Sequence, residues 1–434
     1  MAFAFAWHVA TTIGTSVLVN QHLKEPYMDE IFHTPQFIRY CQGQWNKWDP
    51  MLTTPPGPYL VTLALRPFMQ VLGFFRACDD VMAIRSTNVL ALLSLPLLCM
   101  GVLRARGCSD PGFVPYICAS LPPLWFFGFL YYTDVLSVIA IIASVGAMER
   151  KHHVQASLWG SAALFFRQTN IVWVLFIMGV AALRECQRVA GVSPRITPPI
   201  TTLLVQRSVW MRIIRTVSPY VPIFPAFMLF IQWNDGAIVL GDKSHHQVAL
   251  HLAQVGYFFG FALTFGWPLI FFLVPMRWGK VHAMVSVVLL TMGVLAVRYG
   301  TIVHPFLLAD NRHYTFYVWR RIINARLWTR YALVPVYVFS AMSFVRILSK
   351  KQSGLWILGW LLATCLTLVP SPLIEPRYLI LPYLMMRLYM PTTTRKQEII
   401  EWVFYMMVNA LTMTLFIGYP FTWAHEPGTQ RFMW

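Results

Sequence analysis

Apolar residues fall along this chain in blocks of about 20, the length an α-helix needs to cross the hydrocarbon core of a bilayer. The blocks recur from end to end, parted by short polar links, with edges near 3–22, 58–75, 88–103, 113–130, 133–148, 157–183, 217–232, 250–275, 281–303, 331–347, 354–370, 377–390 and 400–421. This pattern predicts an all-α polytopic membrane protein with about 11 to 14 transmembrane helices, read as one transmembrane domain over residues 1–434. Several blocks are short or broken by Pro and Gly, as in SLPPLW at 120–125. Such breaks are tolerated where the backbone is buried in protein or lines a cavity. A β-barrel would need alternating strands of roughly ten residues, and a solenoid or an inverted-repeat transporter would show self-similarity. Neither pattern is visible.

Composition agrees with this reading. The 434 residues are 57% hydrophobic and 12% charged, with a mean hydropathy of +0.56, against about 25% charged residues in soluble domains. The net charge of +17 raises the question of nucleic acid. The basic residues lie mainly in the links between blocks, where they mark cytoplasmic loops instead. Two links are long. Residues 23–57 are polar, aromatic and Pro-rich, whereas 184–216 carry Arg184, Arg188, Arg195, Arg207, Arg212 and Arg215 against one acid, Glu185. The basic loop is expected on the cytoplasmic side. The start MAFAFAWHVA lacks a basic n-region and a clear cleavage site, so it reads as a retained first helix. If that helix begins in the cytosol, the 23–57 loop lies on the opposite side. The seven scattered cysteines form no CxxC pair and point to neither a zinc site nor a disulfide framework. No Asn-x-Ser/Thr sequon occurs.

The candidate chemistry sits in the links. Of 17 acids, Glu25, Asp29, Glu30 and Asp49 fall in the first long loop. Asp29 and Glu30 are consecutive, so on a helix or strand they do not face one point; one is free to face a reaction centre while the other holds a histidine or arginine. Trp45, Trp48 and Tyr59 around them read either as interfacial anchors or as a platform for a sugar ring. Three further polar islands lie at the mouths of apolar blocks: VLGDKSHHQVALH (239–251), HPFLLADNRHYTFYVWRR (304–321) and PSPLIEPRYLILP (370–382). Cations gathered there suit a phosphate at the membrane surface. The bland alternatives are an interfacial cap for His245 and His246 and a local ion pair for Glu375 and Arg377. Asp134 and Arg167 lie between apolar runs, where a charge is costly and calls for a partner or a function. No HExxH occurs and the histidines are spread over separate links, so no metal or other cofactor is expected.

Taken together, PYMDEIFHTPQ, WDPMLTTPPG, FRQTNIVW, GDKSHH, HPFLLADNRHYTFY and EPRY resemble the endoplasmic-reticulum alpha-1,2-glucosyltransferases of N-glycan assembly. The resemblance runs in order from residue 26 to about 382. Phe37 and Ile38 stand where small or polar residues are expected, and Pro58 where Leu is. The resemblance implies a GT-C-like fold whose long lumenal first loop carries the catalytic acid, in the endoplasmic reticulum membrane with its site facing the lumen. It also implies an inverting transfer of glucose from dolichyl-phosphate-glucose to a dolichyl-diphosphate-linked oligosaccharide within the membrane lipid. On this reading Asp29 is the base and Glu30 orients or contacts the acceptor. Lys243, His245, Arg312 and Arg377 take the donor phosphate, and His304, Asp310 and His313 contact sugar. Two rivals remain: a related dolichol-dependent transferase of different sugar or linkage, and a lipid or solute transporter, for which the acidic first loop has no special use.

Overall fold

The structure, a computed structural model, describes residues 2–199, 207–243, 248–273, 279–424 and 428–434. Almost every described element is a helix, and the two described strands are two residues each. Seven helices among the described residues are long and apolar enough to cross a membrane: Ala2–His22, Val81–Ala105, Asn170–Val189, Ala253–Leu273, Lys280–Tyr299, Thr329–Leu348 and Arg395–Gly418. Ile223–Trp233 and Gly354–Leu368 are shorter and also apolar. The chain is therefore an all-α multi-pass membrane protein. Fewer full-length helices appear than apolar blocks because polar motifs break the blocks. The 113–130 block is two helices, Val114–Ala119 and Pro122–Phe127, the second beginning at a proline that suits a first helical turn. The 157–183 block parts at Phe165–Thr169 into His153–Leu164 and Asn170–Val189.

The chain folds as two compact units, one of Met1–Ser120, Leu124–Ser193 and Pro198–His246, the other of Leu121–Pro123, Pro194–Thr197 and Gln247–Trp434. In the first, α1 (Ala2–His22), α2 (Glu30–Cys41), α3 (Gly57–Val71) and α4 (Val81–Ala105) are followed by α5 (Val114–Ala119), α6 (Pro122–Phe127), α7 (Asp134–Glu149), α8 (His153–Leu164) and α9 (Asn170–Val189). α4 packs on α1, α3, α5 and α7, and α7 on α8 and α9. Between Asp134 and Met148 every residue except Ile139 is buried, as expected of a helix apolar on all sides. The 23–57 link is not irregular throughout: it holds α2, whose Phe37 joins Leu52, Tyr59, Met69 and Tyr131 in a buried cluster. Burying one such phenylalanine is worth about 1.5–3 kcal/mol, enough to seat a short helix. Asp80 caps α4 by accepting from Ala83 N–H at 3.1 Å.

A covalent tie overturns the expectation drawn from the cysteines. Cys41, at the end of α2, and Cys78, before α4, form a disulfide with Cα atoms 5.9 Å apart. Their separation of 37 residues left no spacing signal for the sequence reading to use.

In the second unit Ala253–Leu273 packs on Val334–Leu348 and Arg395–Gly418, and Gly354–Leu368 on Pro376–Tyr389. The close approach along the first of these pairs needs Gly256 and Gly260, where a Cβ would stand 2.8 and 3.0 Å from the Tyr337 ring. Arg387 and Glu401 form a buried pair at 2.8 Å. Thr394 opens Arg395–Gly418 with a reciprocal capping box through Gln397.

Candidate active site

The acid pair lies at the turn between α1 and α2. Met28 takes a left-handed φ of 55°, which swings the chain so that Glu30 starts α2 and Asp29 is its N-cap residue. Glu30 is wholly buried. Its Oε1 accepts from Arg85 Nε at 2.8 Å and from Tyr131 N–H at 2.6 Å. Its Oε2 accepts from Arg85 Nη2 at 2.6 Å and from Tyr27 N–H at 3.0 Å. Arg85 in turn donates to Asn20 Oδ1 and to the carbonyls of Leu23 and Glu25. A charge in such a place is tolerable because every face of it meets a partner. Asp29 is only half buried. Its N–H donates to Tyr132 Oη at 3.2 Å, and its side chain caps no helix N–H. His33, one turn on, shares a 2.7 Å hydrogen bond with Tyr59 Oη and lies among the rings of Tyr59, Tyr131 and Tyr132. Of the aromatic residues singled out nearby, Tyr59 is a core residue, while Trp45 is exposed beside Tyr40.

Two other motifs meet this loop. Thr53 C=O accepts from Gln168 Nε2 at 2.8 Å and from Leu240 N–H at 3.0 Å, joining WDPMLTTPPG to FRQTN on one side and to GDK on the other. Both joints need glycine. Gly57 N–H donates to Phe165 C=O at 2.8 Å, and a Cβ on Gly57 would fall 2.3 Å from that oxygen. Gly241 has φ +57°, and a Cβ there would fall 2.4 Å from the carbonyl oxygens of both Pro50 and Leu52. Lys243 follows, its Nζ donating to Asn234 C=O at 2.9 Å and lying 3.4 Å from Asp235 Oδ2, with 40% of its side chain exposed. His245 and His246 lie outside the described residues. Arg167 and Asp134 pair at 2.8 Å, and Asp134 Oδ2 is buried without a hydrogen-bond partner among the described residues.

The second unit holds the remaining islands. Asp310 accepts from Arg312 N–H at 2.9 Å, from Arg312 Nε at 2.9 Å and from Arg312 Nη2 at 2.8 Å. His313 Nε2 lies 3.7 Å from Asp310 Oδ2. Burial works to raise the Asp310 carboxyl, but the Arg312 hydrogen bonds and the His313 and Arg312 charges outweigh it and hold the carboxyl below its usual range. His304 caps the short helix Pro305–Ala309, its Nδ1 accepting from Phe306 N–H at 3.2 Å. Arg377 and Glu375 form an ion pair. The Glu375 loop is fastened to the stretch before Ala253–Leu273: His251 Nδ1–H donates to Pro372 C=O at 3.2 Å, and Gln254 Nε2 to Leu373 C=O at 2.8 Å. Burial pushes the His251 imidazole down to about 4. Among the described residues no group of three His, Cys, Asp or Glu side chains is placed to hold a metal ion.

The sequence-derived candidates omit Arg85 and Tyr132; Arg85 leaves a trace, as a basic residue at the mouth of an apolar block.

The described residues define a multi-pass helical membrane protein in which the half-buried Asp29 lies beside the fully paired Glu30. The chain belongs to the DIE2/ALG10 family, whose model matches residues 23–388. A relative from Arabidopsis thaliana is 36% identical, with 97% of each chain covered. One from Homo sapiens is 35% identical over 95% of this chain and 94% of its own, and one from Yarrowia lipolytica is 32% identical over 94% and 93%. All three bear the name Dol-P-Glc:Glc(2)Man(9)GlcNAc(2)-PP-Dol alpha-1,2-glucosyltransferase. The protein is accordingly a glycosyltransferase. No solved structure matches the chain.

Proposed function

We propose that this protein, acting as one transferase domain, moves glucose from dolichyl-phosphate-glucose to the diglucosylated dolichyl-diphosphate-linked oligosaccharide, forming an alpha-1,2 linkage. Full-length similarity to relatives of that name supports the reading. The observation that carries the mechanism is the division of labour in the acid pair: Glu30 is spent on Arg85 and two backbone amides, and Asp29 beside it is half buried.

Inversion, as the GT-C resemblance implies, is one in-line displacement. The acceptor hydroxyl oxygen bonds to the glucose C1 as the bond from C1 to the phosphate oxygen breaks. Asp29 takes the hydroxyl proton. Fixed positive charge stabilises the departing dolichyl phosphate, and no resident metal is invoked. Lys243, His245, Arg312 and Arg377 enter as cations on which donor use depends, and His304, Asp310 and His313 as sugar contacts. Glu30 orients the loop through Arg85 and Tyr131; the proposal gives it no direct contact with acceptor.

The site is assigned to the lumenal side of the endoplasmic reticulum membrane. The Cys41–Cys78 disulfide, which ties the first loop to the segment before α4, supports this side, because such bonds persist in oxidising compartments. The test is transfer from dolichyl-phosphate-glucose to the diglucosylated acceptor by Asp29→Asn, with a fall of about 10²- to 10⁴-fold expected. Near-normal turnover in a folded variant would remove Asp29 from the role.

A further inference from the structure

The family match ends at residue 388, yet residues well beyond it hold the HPFLLADNRHYTFY motif in shape. After Arg395–Gly418, β1 (Phe421–Thr422) pairs antiparallel with β2 (Thr429–Gln430). It then runs beside the motif: Met433 N–H donates to Arg312 C=O at 2.9 Å, and Tyr314 N–H to Met433 C=O at 2.8 Å. The side chains repeat the tie. Gln430 Oε1 accepts from Arg312 Nη1 at 2.9 Å, and Trp423 lies with its ring centre 4.6 Å from the Arg312 guanidinium carbon. Trp423 Nε1–H donates to Asn311 Oδ1 at 3.0 Å, and His313 Nδ1–H to Trp434 C=O at 2.9 Å.

We propose that Phe421–Ala424 and Gly428–Trp434 form a strap that sets the orientation of Arg312 for donor use, with Trp423 and Gln430 as its positioning residues. A guanidinium is planar and rigid, so its direction is fixed by what holds its edge and its face. Asp310 takes one edge, Gln430 binds Nη1 and Trp423 stacks on the face. A strand pair packed there only to cover apolar surface would have no reason to place a tryptophan ring and an amide oxygen on the same arginine.

This inference rests on the proposed role of Arg312 in donor use. The test measures transfer by the full chain while donor and acceptor are varied separately. Trp423→Ala and Gln430→Ala are expected to raise the donor KM about 3- to 30-fold and to leave the acceptor KM unchanged. Trp423→Phe, which keeps an aromatic face, is expected to restore most of the loss. Equal loss on both substrates, or no rescue by Phe in a protein that melts normally, would mean that the strap only supports folding. An Arg312→Lys background separates the two readings. If that single change leaves the donor KM untouched, the role of Arg312 in donor use is wrong. If it raises the donor KM and Trp423→Ala adds a further full decrement on top, the strap does not act through Arg312 and the inference falls.

Discussion

Arg85 grips Glu30 through both carboxylate oxygens, at 2.8 and 2.6 Å, with neither side chain more than 1% exposed. The pair joins the α1–α2 turn to α4 across 55 residues, and the Tyr131 amide brings in the segment before α7. Removing one partner leaves a buried charge without its counter-ion, which costs about 3–5 kcal/mol. Arg85→Ala is therefore expected to lower the thermal midpoint sharply in detergent and to reduce the yield of folded protein. Glu30→Gln, which keeps an acceptor oxygen and the side chain's volume, should cost less. An unchanged melt for Arg85→Ala would show that the clamp is not needed to hold the turn.

The Cys41–Cys78 bond closes a loop spanning 37 residues of sequence, and on a chain-entropy account a loop of that length is worth about 4 kcal/mol. Thiol labelling without reductant should miss both cysteines, and labelling after reduction should reach them. Cys41→Ser together with Cys78→Ser is expected to lower thermal stability, and the transferase activity should fall with it because α2 carries the acid pair at its other end.

Gly57 and Gly241 give a steric test of how the motifs meet. At each the obstacle is a backbone carbonyl, which has no rotamer by which to retreat. Gly241→Ala adds the strain of a side chain at positive φ. Both substitutions are expected to impair transfer strongly, whereas Gly14→Ala, with nothing within 4 Å of its Cβ, should be silent. Wild-type activity in Gly57→Ala would mean that the first loop and the FRQTN segment do not need to touch.

His251 lies outside the spanning helix Ala253–Leu273, is held neutral by burial, and has its pKa lowered to about 4. Its unfolded value is near 6.5. Between those values the unfolded chain binds the extra proton, so stability falls as pH drops from about 6.5 to about 4. The Nε2 atom is buried without a partner among the described residues, and protonation would place an unmatched charge there. A melting series over that window should show the loss, and His251→Gln should flatten it. Asp310 acts lower on the scale. Its carboxyl is held below the ordinary value, so the stability it contributes is complete above about pH 4 and lost as pH falls through its lowered value.

What the sequence made legible follows from physical range. Helical blocks declare themselves because twenty consecutive apolar residues have few other uses. The Asp29–Glu30 pair stood out because carboxylates are rare here, and adjacency alone implied that the two would face different ways. Partners far along the chain left no such mark. Nothing in the spacing ties Glu30 to Arg85, Cys41 to Cys78 or Arg312 to Gln430, since each pairing is set by how helices pack. Nearby partners were easier to see: the local Glu375–Arg377 pair stood among the sequence alternatives, and the structure gives both Arg377 and Arg312 a carboxylate two residues away.

The last prediction separates the two acids. If Asp29 takes the proton, Asp29→Asn removes the base while keeping the side chain's size and one acceptor oxygen. Its neighbour still carries the clamp, and the Asp29 N–H to Tyr132 is a backbone bond that the substitution keeps. The melt should stay near wild type while turnover at saturating substrate drops about 10²- to 10⁴-fold. Glu30→Gln should behave in the opposite way. It weakens the charge pairing with Arg85, so stability falls first, and transfer by the fraction that remains folded stays well above that of Asp29→Asn. Measuring both variants by melting and by single-turnover transfer at matched folded concentration gives each acid its own signature. If Glu30→Gln proves the more damaging to turnover with an unchanged melt, the assignment reverses and the buried acid is the base.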